Sequence, residues 1–243
     1  AGLDFDPAGL GAPARLAARR ARLSPTRFTA PERLAAAAES RPESLQTTHF
    51  STTDARGGAV ACTTTLNGSY GARVMASGGF LMNNEMDDFA AAPGSANQYG
   101  LVQGEYNTIA AGRRPLSSMS PVIVVRDGRV DAVVGSPGGP RILSAVMHVL
   151  LNRYVFGLDP AESVAAPRAH RQDQPEVLRL EDGLLSPAAR VLLQNRGQPC
   201  APIAGIGDVN AIFRVGESWA AVSDVRASGS GAVVASPALS DRK

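Results

Sequence analysis

A threonine at position 47, inside the run Gln46-Thr47-Thr48-His49, has the chemistry of a candidate nucleophile. A threonine hydroxyl attacks carbonyl groups poorly unless a base removes its proton. Cleavage of the chain before Thr47 would free its backbone amine, which titrates at about 7.7–8 and could accept that proton near neutral pH. Taken alone, the run is more typical of a β-branched strand, so its interpretation depends on the residues that follow.

Several later segments could complete such a site. Thr65 falls on the predicted partner strand of Thr47, so cross-strand pairing could bring the two hydroxyl groups together, although an ordinary Thr–Thr sheet pair has the same sequence. The run Gly79–Phe89 places amide and carboxylate side chains among apolar ones, which suits a cationic amine. A calcium loop and a solvated turn are the alternatives for this run, but its spacing is not that of a helix–loop–helix calcium site.

Two further segments could bind the negative charges of a substrate. Ser117 and Ser118 precede a predicted buried strand, where hydroxyl groups can bind a carboxylate, although serine clusters more often mark a turn. Gly138 and Gly139 link a strand to a helix start, where successive glycines let backbone N–H groups approach a substrate closely. An oxyanion hole is built in this way. No Lys-Ser/Thr pair follows the glycines, which excludes a Walker phosphate loop.

The elements that position these residues are predicted from the pattern of the chain. Strand-like runs predict three hairpins, which pair residues 47–53 with 59–66, 121–125 with 129–134, and 211–215 with 219–222. Helical spacing predicts a helix that begins at Pro140, and the capping signals Asp159-Pro160-Ala161-Glu162 and Ser186-Pro187 predict helices that begin at Pro160 and Pro187. Alanine-rich helices are predicted over 13–22 and 31–40. Strands, then helices, then strands again favour an α+β sandwich.

Composition limits the class of protein. Of the 243 residues, 44% are hydrophobic and 19% are charged, with a net charge of +2, which describes a globular protein able to bury a sizeable core. The basic residues are scattered, so nucleic acid is not a predicted partner. No apolar run reaches membrane-spanning length. Cys62 and Cys200 lack metal-ligand spacing and are expected to be buried free thiols. The chain starts without methionine or a signal peptide, so we expect it to be the C-terminal part of a longer protein.

Five motifs, in order along the chain, resemble those of the γ-glutamyltranspeptidases, also called glutathione hydrolases. The resemblance runs from Thr47 to Arg226, nearly the whole small catalytic subunit of that family. The motifs are Thr47-Thr48-His49, Thr65-Leu66-Asn67, Asn83–Phe89, Pro115–Met119 and Gly135–Gly139. Counterparts also exist for Ala166–His170 and Ser223–Arg226.

The resemblance implies an N-terminal-nucleophile hydrolase fold, a four-layer αββα sandwich, made by a precursor that cuts itself between Gln46 and Thr47. Residues 1–46 would then be the end of the large subunit and its linker, and residues 47–243 the small catalytic subunit. The implied partners are glutathione and other γ-glutamyl donors, amino-acid or dipeptide acceptors, water, and the large subunit of the same precursor. No cofactor or metal is implied, and the implied location is periplasmic or extracellular.

The resemblance also implies a role for each site residue. Thr47 is the nucleophile in self-cleavage and in catalysis through a γ-glutamyl-Thr47 ester, and its freed amine is the base. Thr65 orients the Thr47 hydroxyl, and the Gly138 and Gly139 amides stabilise the oxyanion. The remaining roles belong to substrate-binding residues: the α-amine is bound by Asn67, Glu85 and Asp88, the α-carboxylate by Ser117 and Ser118, and Tyr99 belongs to a lid loop.

Two departures from the family pattern stand out. Glu85 occupies a position where several bacterial relatives have glutamine, which adds negative charge to the amine site. Family members also carry a large subunit of several hundred residues before the cut, which supplies an arginine for the substrate carboxylate, and 46 residues precede Thr47 here. The alternatives are a related amidase, such as a cephalosporin acylase or a poly-γ-glutamate-processing enzyme, and an uncleaved, inactive homologue.

Overall fold

The structure is a computed structural model that describes residues 12–21, 26, 47–173, 175–227 and 229–233. Helix α1 spans Pro13–Ala21, in agreement with the first predicted alanine-rich helix. The second predicted helix, over residues 31–40, and Gln46 of the predicted cleavage junction lie outside the described residues.

The first predicted hairpin is present with nearly the predicted bounds. Strands β1 (Thr47–Thr53) and β2 (Ala59–Thr65) pair antiparallel, with Thr47 opposite Thr65 at the open end. The Asp54 carboxylate closes the turn by accepting the Arg56 and Gly58 amides at 2.8 and 2.7 Å. The sequence of the turn therefore fixes the register, and the register places the two threonines side by side.

A four-stranded antiparallel sheet forms the centre of the fold. It contains β3 (Val122–Arg126), β4 (Arg129–Gly135), β8 (Asn210–Val215) and β9 (Ser218–Ser223), in the spatial order β3-β4-β8-β9. Both predicted hairpins of this sheet, β3–β4 and β8–β9, are confirmed. The prediction that β3 is a buried strand is wrong, because β3 lies at the edge of the sheet and its outer face, with Ile123 and Val125, is exposed. The β1–β2 hairpin packs on one face, against β4 and β8.

Helices cover the opposite face of this sheet. Helix α2 (Ile142–Tyr154) follows a 3-10 turn at Gly139–Arg141, and α3 (Pro160–Ala165) begins with the predicted capping box between Asp159 and Glu162. The shared core is built from alternate residues of β4 and β8 and from one side of the two helices: Ala132, Val134, Ala211, Phe213, Ile142, Ala145, Val146, Val149 and Val164. Hairpin, sheet and helices thus form three consecutive layers of an α+β sandwich.

A small mixed sheet was not predicted. Strands β5 (Ala169–His170), β6 (Leu178–Leu180) and β7 (Cys200–Pro202) lie side by side, with β6 and β7 parallel. Helix α4 (Pro187–Asn195), capped by Ser186 as predicted, connects β6 to β7. Strands of two or three residues are too short to show an alternating pattern, which is why the sequence did not reveal them.

The segment between β2 and β3, residues 66–121, contains turns, isolated bridges and two 3-10 turns, at Glu85–Asp88 and Glu105–Asn107. Cys62 and Cys200 are both free thiols, as predicted, but both residues are partly exposed rather than buried. Among the described helices, none combines the length and the apolar character required to cross a bilayer.

Candidate active site

The Thr47 hydroxyl lies at the open end of the first hairpin and contacts its predicted partner. The Oγ1 atoms of Thr47 and Thr65 are 2.9 Å apart. The backbone N–H of Asn67 donates to the Thr65 Oγ1 at 2.9 Å, which restricts the orientation of that hydroxyl. A hydroxyl held in this way can direct the Thr47 oxygen toward a substrate, so strand pairing alone builds the nucleophilic end of the site.

The glycine pair lies at the start of α2, beside Thr47. Gly138 and Gly139 have φ angles of 136° and 54°, values that favour glycine over every other residue. Gly139 opens the 3-10 turn that leads into the helix, where backbone N–H groups have no partner within the helix. Amides at this position, in a largely buried turn, are suited to stabilising an oxyanion.

Two carboxylates face the same cleft from the turn at Glu85–Asp88. The Asp88 Oδ1 accepts from the Asn67 Nδ2 at 3.1 Å. Burial, followed by the charge of Asp88 and a hydrogen bond to it, raises the pKa of Glu85 to about 7, and burial also raises the pKa of Asp88. Two carboxylates that repel each other in a half-buried environment form an acidic pair that is suited to binding a cation.

Tyr99 lies across the cleft. Its Oη donates a short hydrogen bond to the Asn67 Oδ1 and also lies 3.3 Å from the backbone carbonyl oxygen of Asn67. Its ring lies against Gly139, where an added Cβ would be 3.3 Å from Cε1. Burial, and then the nearby charges of Asp88 and Glu85, raise the pKa of Tyr99, so the phenol remains a hydrogen-bond donor at physiological pH.

Ser117 and Ser118 form the remaining wall. The Ser117 Oγ accepts from the Met119 amide at 3.1 Å, and the Ser120 Oγ donates to the Ser118 carbonyl at 3.1 Å, so the segment is a hydrogen-bonded turn whose serines also face the cleft. Within the described part of the chain, no arginine or lysine lines this cleft.

The structure brings nearly all predicted site residues together. Nine of the ten line one cleft, and the tenth, Gly138, is the chain neighbour of Gly139; the nine are Thr47, Thr65, Asn67, Glu85, Asp88, Tyr99, Ser117, Ser118 and Gly139. A wider cavity of about 890 Å³ lies at the other end of the hairpin, near Asp54 and Trp219, and none of the ten residues lines it. We place the chemistry in the smaller cleft because the nucleophile and the polar groups converge there.

The sequence of this chain matches a known protein family. The sequence model of the Gamma-glutamyltranspeptidase family matches residues 6–234. The chain belongs to this family. The resemblance inferred from the five motifs is therefore confirmed.

Curated relatives in the family include two bacterial proteins named glutathione hydrolase proenzyme. The protein from Escherichia coli (strain K12) is 48% identical over 172 residues, which cover 70% of this chain and 30% of the relative. The protein from Pseudomonas aeruginosa is 42% identical over 234 residues, which cover 91% of this chain and 40% of the relative. The chain thus spans less than half the length of these relatives.

A solved structure of the family shares the fold. The γ-glutamyltranspeptidase from Pseudomonas nitroreducens, complexed with L-DON, matches with a TM-score of 0.72 and 42% identity, over 77% of this chain and 100% of the matched chain. The N-terminal-nucleophile hydrolase fold expected from the sequence is confirmed, and the described residues form three of its four expected layers.

One member of the first motif has a contact that sequence reasoning did not predict. His49 is buried below the hairpin, where its ring nitrogens lie 2.7 Å from the Thr63 Oγ1 and 3.0 Å from the Ser51 Oγ. A Cβ at Gly135 would lie 2.1 Å from the ring, so that glycine makes room for the histidine. Burial lowers the pKa of His49 to about 4, and the neutral ring connects β1 to the strand that ends at the glycine turn.

The two motifs nearer the C-terminus form a buried ion network behind the sheet. Arg168 and Asp224 have fully buried side chains with 2.7 Å between Nη2 and Oδ2. Arg226 bonds Asp224 at 2.8 Å and makes a short contact with Glu181. The sequence contained these motifs, but only the structure shows that they meet.

Proposed function

We propose that this chain is the catalytic part of a γ-glutamyl transferase and hydrolase that acts on glutathione and similar γ-glutamyl amides. The observation that carries the proposal is the 2.9 Å contact between the Thr47 and Thr65 hydroxyls in a cleft that also contains an acidic pair and a glycine turn. The family membership of the chain supports the same conclusion.

Maturation precedes catalysis. The Thr47 Oγ1 attacks the carbonyl carbon of Gln46, the peptide C–N bond breaks, and the nitrogen takes a proton to become the free α-amine of Thr47. Water then hydrolyses the resulting ester and releases the Gln46 carboxylate. Residues 1–46 are accordingly the end of the large subunit, and residues 47–243 are the small catalytic subunit.

Catalysis uses the newly freed amine. The amine takes the proton of the Thr47 hydroxyl while the oxygen attacks the γ-carbonyl of the donor, and the Gly138 and Gly139 amides stabilise the oxyanion. Collapse of the tetrahedral intermediate breaks the amide bond, and the departing nitrogen takes the proton. The γ-glutamyl-Thr47 ester then reacts with water, or with the amine of an amino acid or a dipeptide.

The rest of the cleft binds the α-amino acid end of the donor. The carboxylates of Glu85 and Asp88, with the side-chain carbonyl of Asn67, accept hydrogen bonds from the α-ammonium. The hydroxyls of Ser117 and Ser118 bind the α-carboxylate, and Tyr99 covers the bound group. A large subunit of the same precursor contributes a cation for this carboxylate, and the mature enzyme acts in the periplasm or outside the cell.

Substrate comparison tests the proposal. Expressed with its upstream coding region, the protein should hydrolyse γ-glutamyl-p-nitroanilide and leave glutaryl-p-nitroanilide, which lacks the α-amine, nearly untouched. Asp88→Ala should lower kcat/KM for the γ-glutamyl donor by about 30-fold or more, because loss of one side of a desolvated ion pair costs about 2–5 kcal/mol. Asp87→Ala is the matched control, since Asp87 belongs to the same turn but does not line the cleft.

Two results would overturn the proposal. Equal rates with glutaryl and γ-glutamyl donors would mean that the cleft does not recognise the amine, and a cephalosporin-acylase type of activity would replace the proposal. No hydrolysis of either donor by a correctly matured protein would indicate an inactive homologue.

A further inference from the structure

A buried asparagine connects the two sides of the cleft that the proposed function assigns to the α-ammonium and the α-carboxylate. Asn107 ends the 3-10 turn at Glu105–Asn107 and is 3% exposed, whereas the adjacent Tyr106 is 84% exposed. Asn107 is not among the residues that line the cleft, so we look for its role in the residues that it bonds. A buried amide in a loop region needs several partners, and those partners identify its role.

Each arm of the Asn107 side chain bonds a different wall of the cleft. The Nδ2 donates to the backbone carbonyl of Asp88 at 2.8 Å and makes a short hydrogen bond to the Gln103 Oε1. The Oδ1 accepts from the backbone N–H of Leu116 at 3.0 Å. One planar amide group therefore joins the turn that carries Asp88 to the segment immediately before Ser117.

The backbone of Asn107 strengthens the first of these connections. Its carbonyl accepts from the Ala90 N–H at 2.9 Å, and its own N–H donates to the Gly104 carbonyl at 3.3 Å. All the polar groups of the residue are thus satisfied. These hydrogen bonds hold Asn107 rigidly in a segment that otherwise has little regular secondary structure. A buried amide whose polar groups are all satisfied has few alternative arrangements.

We infer that Asn107 is a positioning residue that sets the spacing between the ammonium-binding and carboxylate-binding sides of the cleft. The inference rests on the proposed function. The two charged groups of an α-amino acid are attached to one carbon, so their spacing is fixed, and a site recognises both only if its own spacing is fixed as well. Loosening Asn107 therefore weakens recognition of the amino acid end without removing any group that touches it.

Kinetics of two variants test the inference. Asn107→Ala removes both arms, and Asn107→Asp retains the acceptor for the Leu116 N–H but replaces the donor to Asp88 with an acceptor. In both, the KM for L-γ-glutamyl-p-nitroanilide should rise about tenfold or more, with kcat per matured active site changed by less than about threefold. The preference for the L-donor over the D-donor should also shrink, because the D-isomer exchanges the positions of the two charged groups.

Maturation provides a readout that separates positioning from folding. Self-cleavage before Thr47 involves no free α-amino acid, so the matured fragment should still form in both variants. Asn152→Ala is the matched control: Asn152 is also buried, and its Nδ2 donates to the Ser163 carbonyl at 3.1 Å between α2 and α3, far from the cleft residues. This control should keep the wild-type KM and the wild-type isomer preference even if it lowers stability.

The outcomes distinguish this inference from the function on which it rests. If the wild type matures but does not hydrolyse the γ-glutamyl donor, the proposed function fails. If the wild type is active and the matured fraction of either Asn107 variant has the wild-type KM and isomer preference, the inference is wrong. Because both readouts are taken on the matured fraction, counted by covalent labelling of Thr47, a low yield of a variant does not alter the conclusion.

Discussion

Two regions of this protein form the cleft around Thr47, and they are held in place by different interactions. The proposed nucleophile, Thr47, and the glycine turn belong to a framework of paired strands and a helix, whose apolar residues are buried between layers. The recognition loops, residues 66–119, expose large apolar side chains such as Phe80 and Met86, at 61% and 58%, and depend on side-chain hydrogen bonds. The groups proposed to react are thus fixed by regular secondary structure, and the groups proposed to recognise the substrate are fixed by side-chain hydrogen bonds.

This difference has a physical basis. Reaction at a carbonyl requires the nucleophile and the oxyanion donors to be positioned to a fraction of an ångström, and regular elements provide such precision more readily than loops do. Recognition of a charged head group also needs a fixed spacing, but side-chain hydrogen bonds such as those of Asn107 can supply it, and a loop can be changed without disturbing the core. We therefore expect substitutions in the framework to affect stability and kcat, and substitutions in the recognition loops to affect KM and its pH dependence.

The largest effect is expected in the buried ion network of the framework. Asp224→Ala should lower the free energy of unfolding by about 3–5 kcal/mol, because it leaves the fully buried Arg168 without its counter-ion. Thermal or denaturant unfolding of the purified protein measures the change. Glu217→Ala is the control, since its ion pair with Arg129 is exposed, and no measurable loss is expected. A loss for Asp224→Ala no larger than for the control would contradict this account of the framework.

The same contact predicts how stability changes with pH. Burial by itself would raise the pKa of Asp224, but the charge of Arg168, the Val209 amide and Arg226 outweigh it and hold that pKa below its ordinary value. The stabilisation is therefore complete above the unfolded pKa of about 3.9 and is lost as the pH falls through the lower, folded value. In Asp224→Ala, the free energy of unfolding should therefore decrease less steeply than in the wild type as the pH is lowered below the unfolded pKa.

The next largest effect concerns the glycine turn. Gly139→Val should lower kcat by about 10²–10³-fold, more than it changes KM, because a β-branched residue cannot adopt the left-handed backbone and would press on the Tyr99 ring. Gly157→Val is the control. Gly157 also has a positive φ, 71°, but a Cβ added there would meet no atom within 4 Å. Near-normal turnover of the Gly139 variant would place the oxyanion hole elsewhere.

The smallest effect concerns Glu85 in the recognition loops. Because its pKa is about 7, Glu85 gains its charge as the pH rises through neutrality, and the donor KM should fall about fivefold between pH 6 and pH 8. Glu85→Gln should remove this pH dependence of KM. The pH dependence of kcat, which comes from the Thr47 amine, should remain. Glu105→Gln, in an exposed turn, is the control. An unchanged pH profile of KM in Glu85→Gln would assign the titration to another group.

Sequence reasoning was most successful where the signals are local. The turn residues Asp54 and Gly58 and the β-branched runs beside them predicted the first hairpin, and its register then placed Thr65 opposite Thr47. The capping box at Asp159 and Glu162 predicted α3 in the same way. Such signals act over a few residues, so a single sequence contains them in full.

Other features depend on contacts between distant parts of the chain. The parallel pairing of β6 with β7 joins segments separated by α4 and has no local pattern. The buried side chains of Asn107 and His49 bond residues outside their own turn or strand, and these contacts follow no periodic pattern in the sequence. Residues of the recognition loops could be singled out from their side-chain chemistry and from the order of their motifs, but neither composition nor spacing predicted the shape of these loops.

Intact mass of the protein, expressed with its upstream coding region, is the most direct test of the central claim that Thr47 is an N-terminal nucleophile. The wild type and Thr47→Ser, which keeps a hydroxyl, should each yield a fragment that starts at position 47, whereas Thr47→Ala should remain uncut. The first two should also gain the mass of a γ-glutamyl group when the ester is trapped by acid quenching. Cleavage at the same bond in Thr47→Ala would show that an external protease cuts the chain and would contradict the claim.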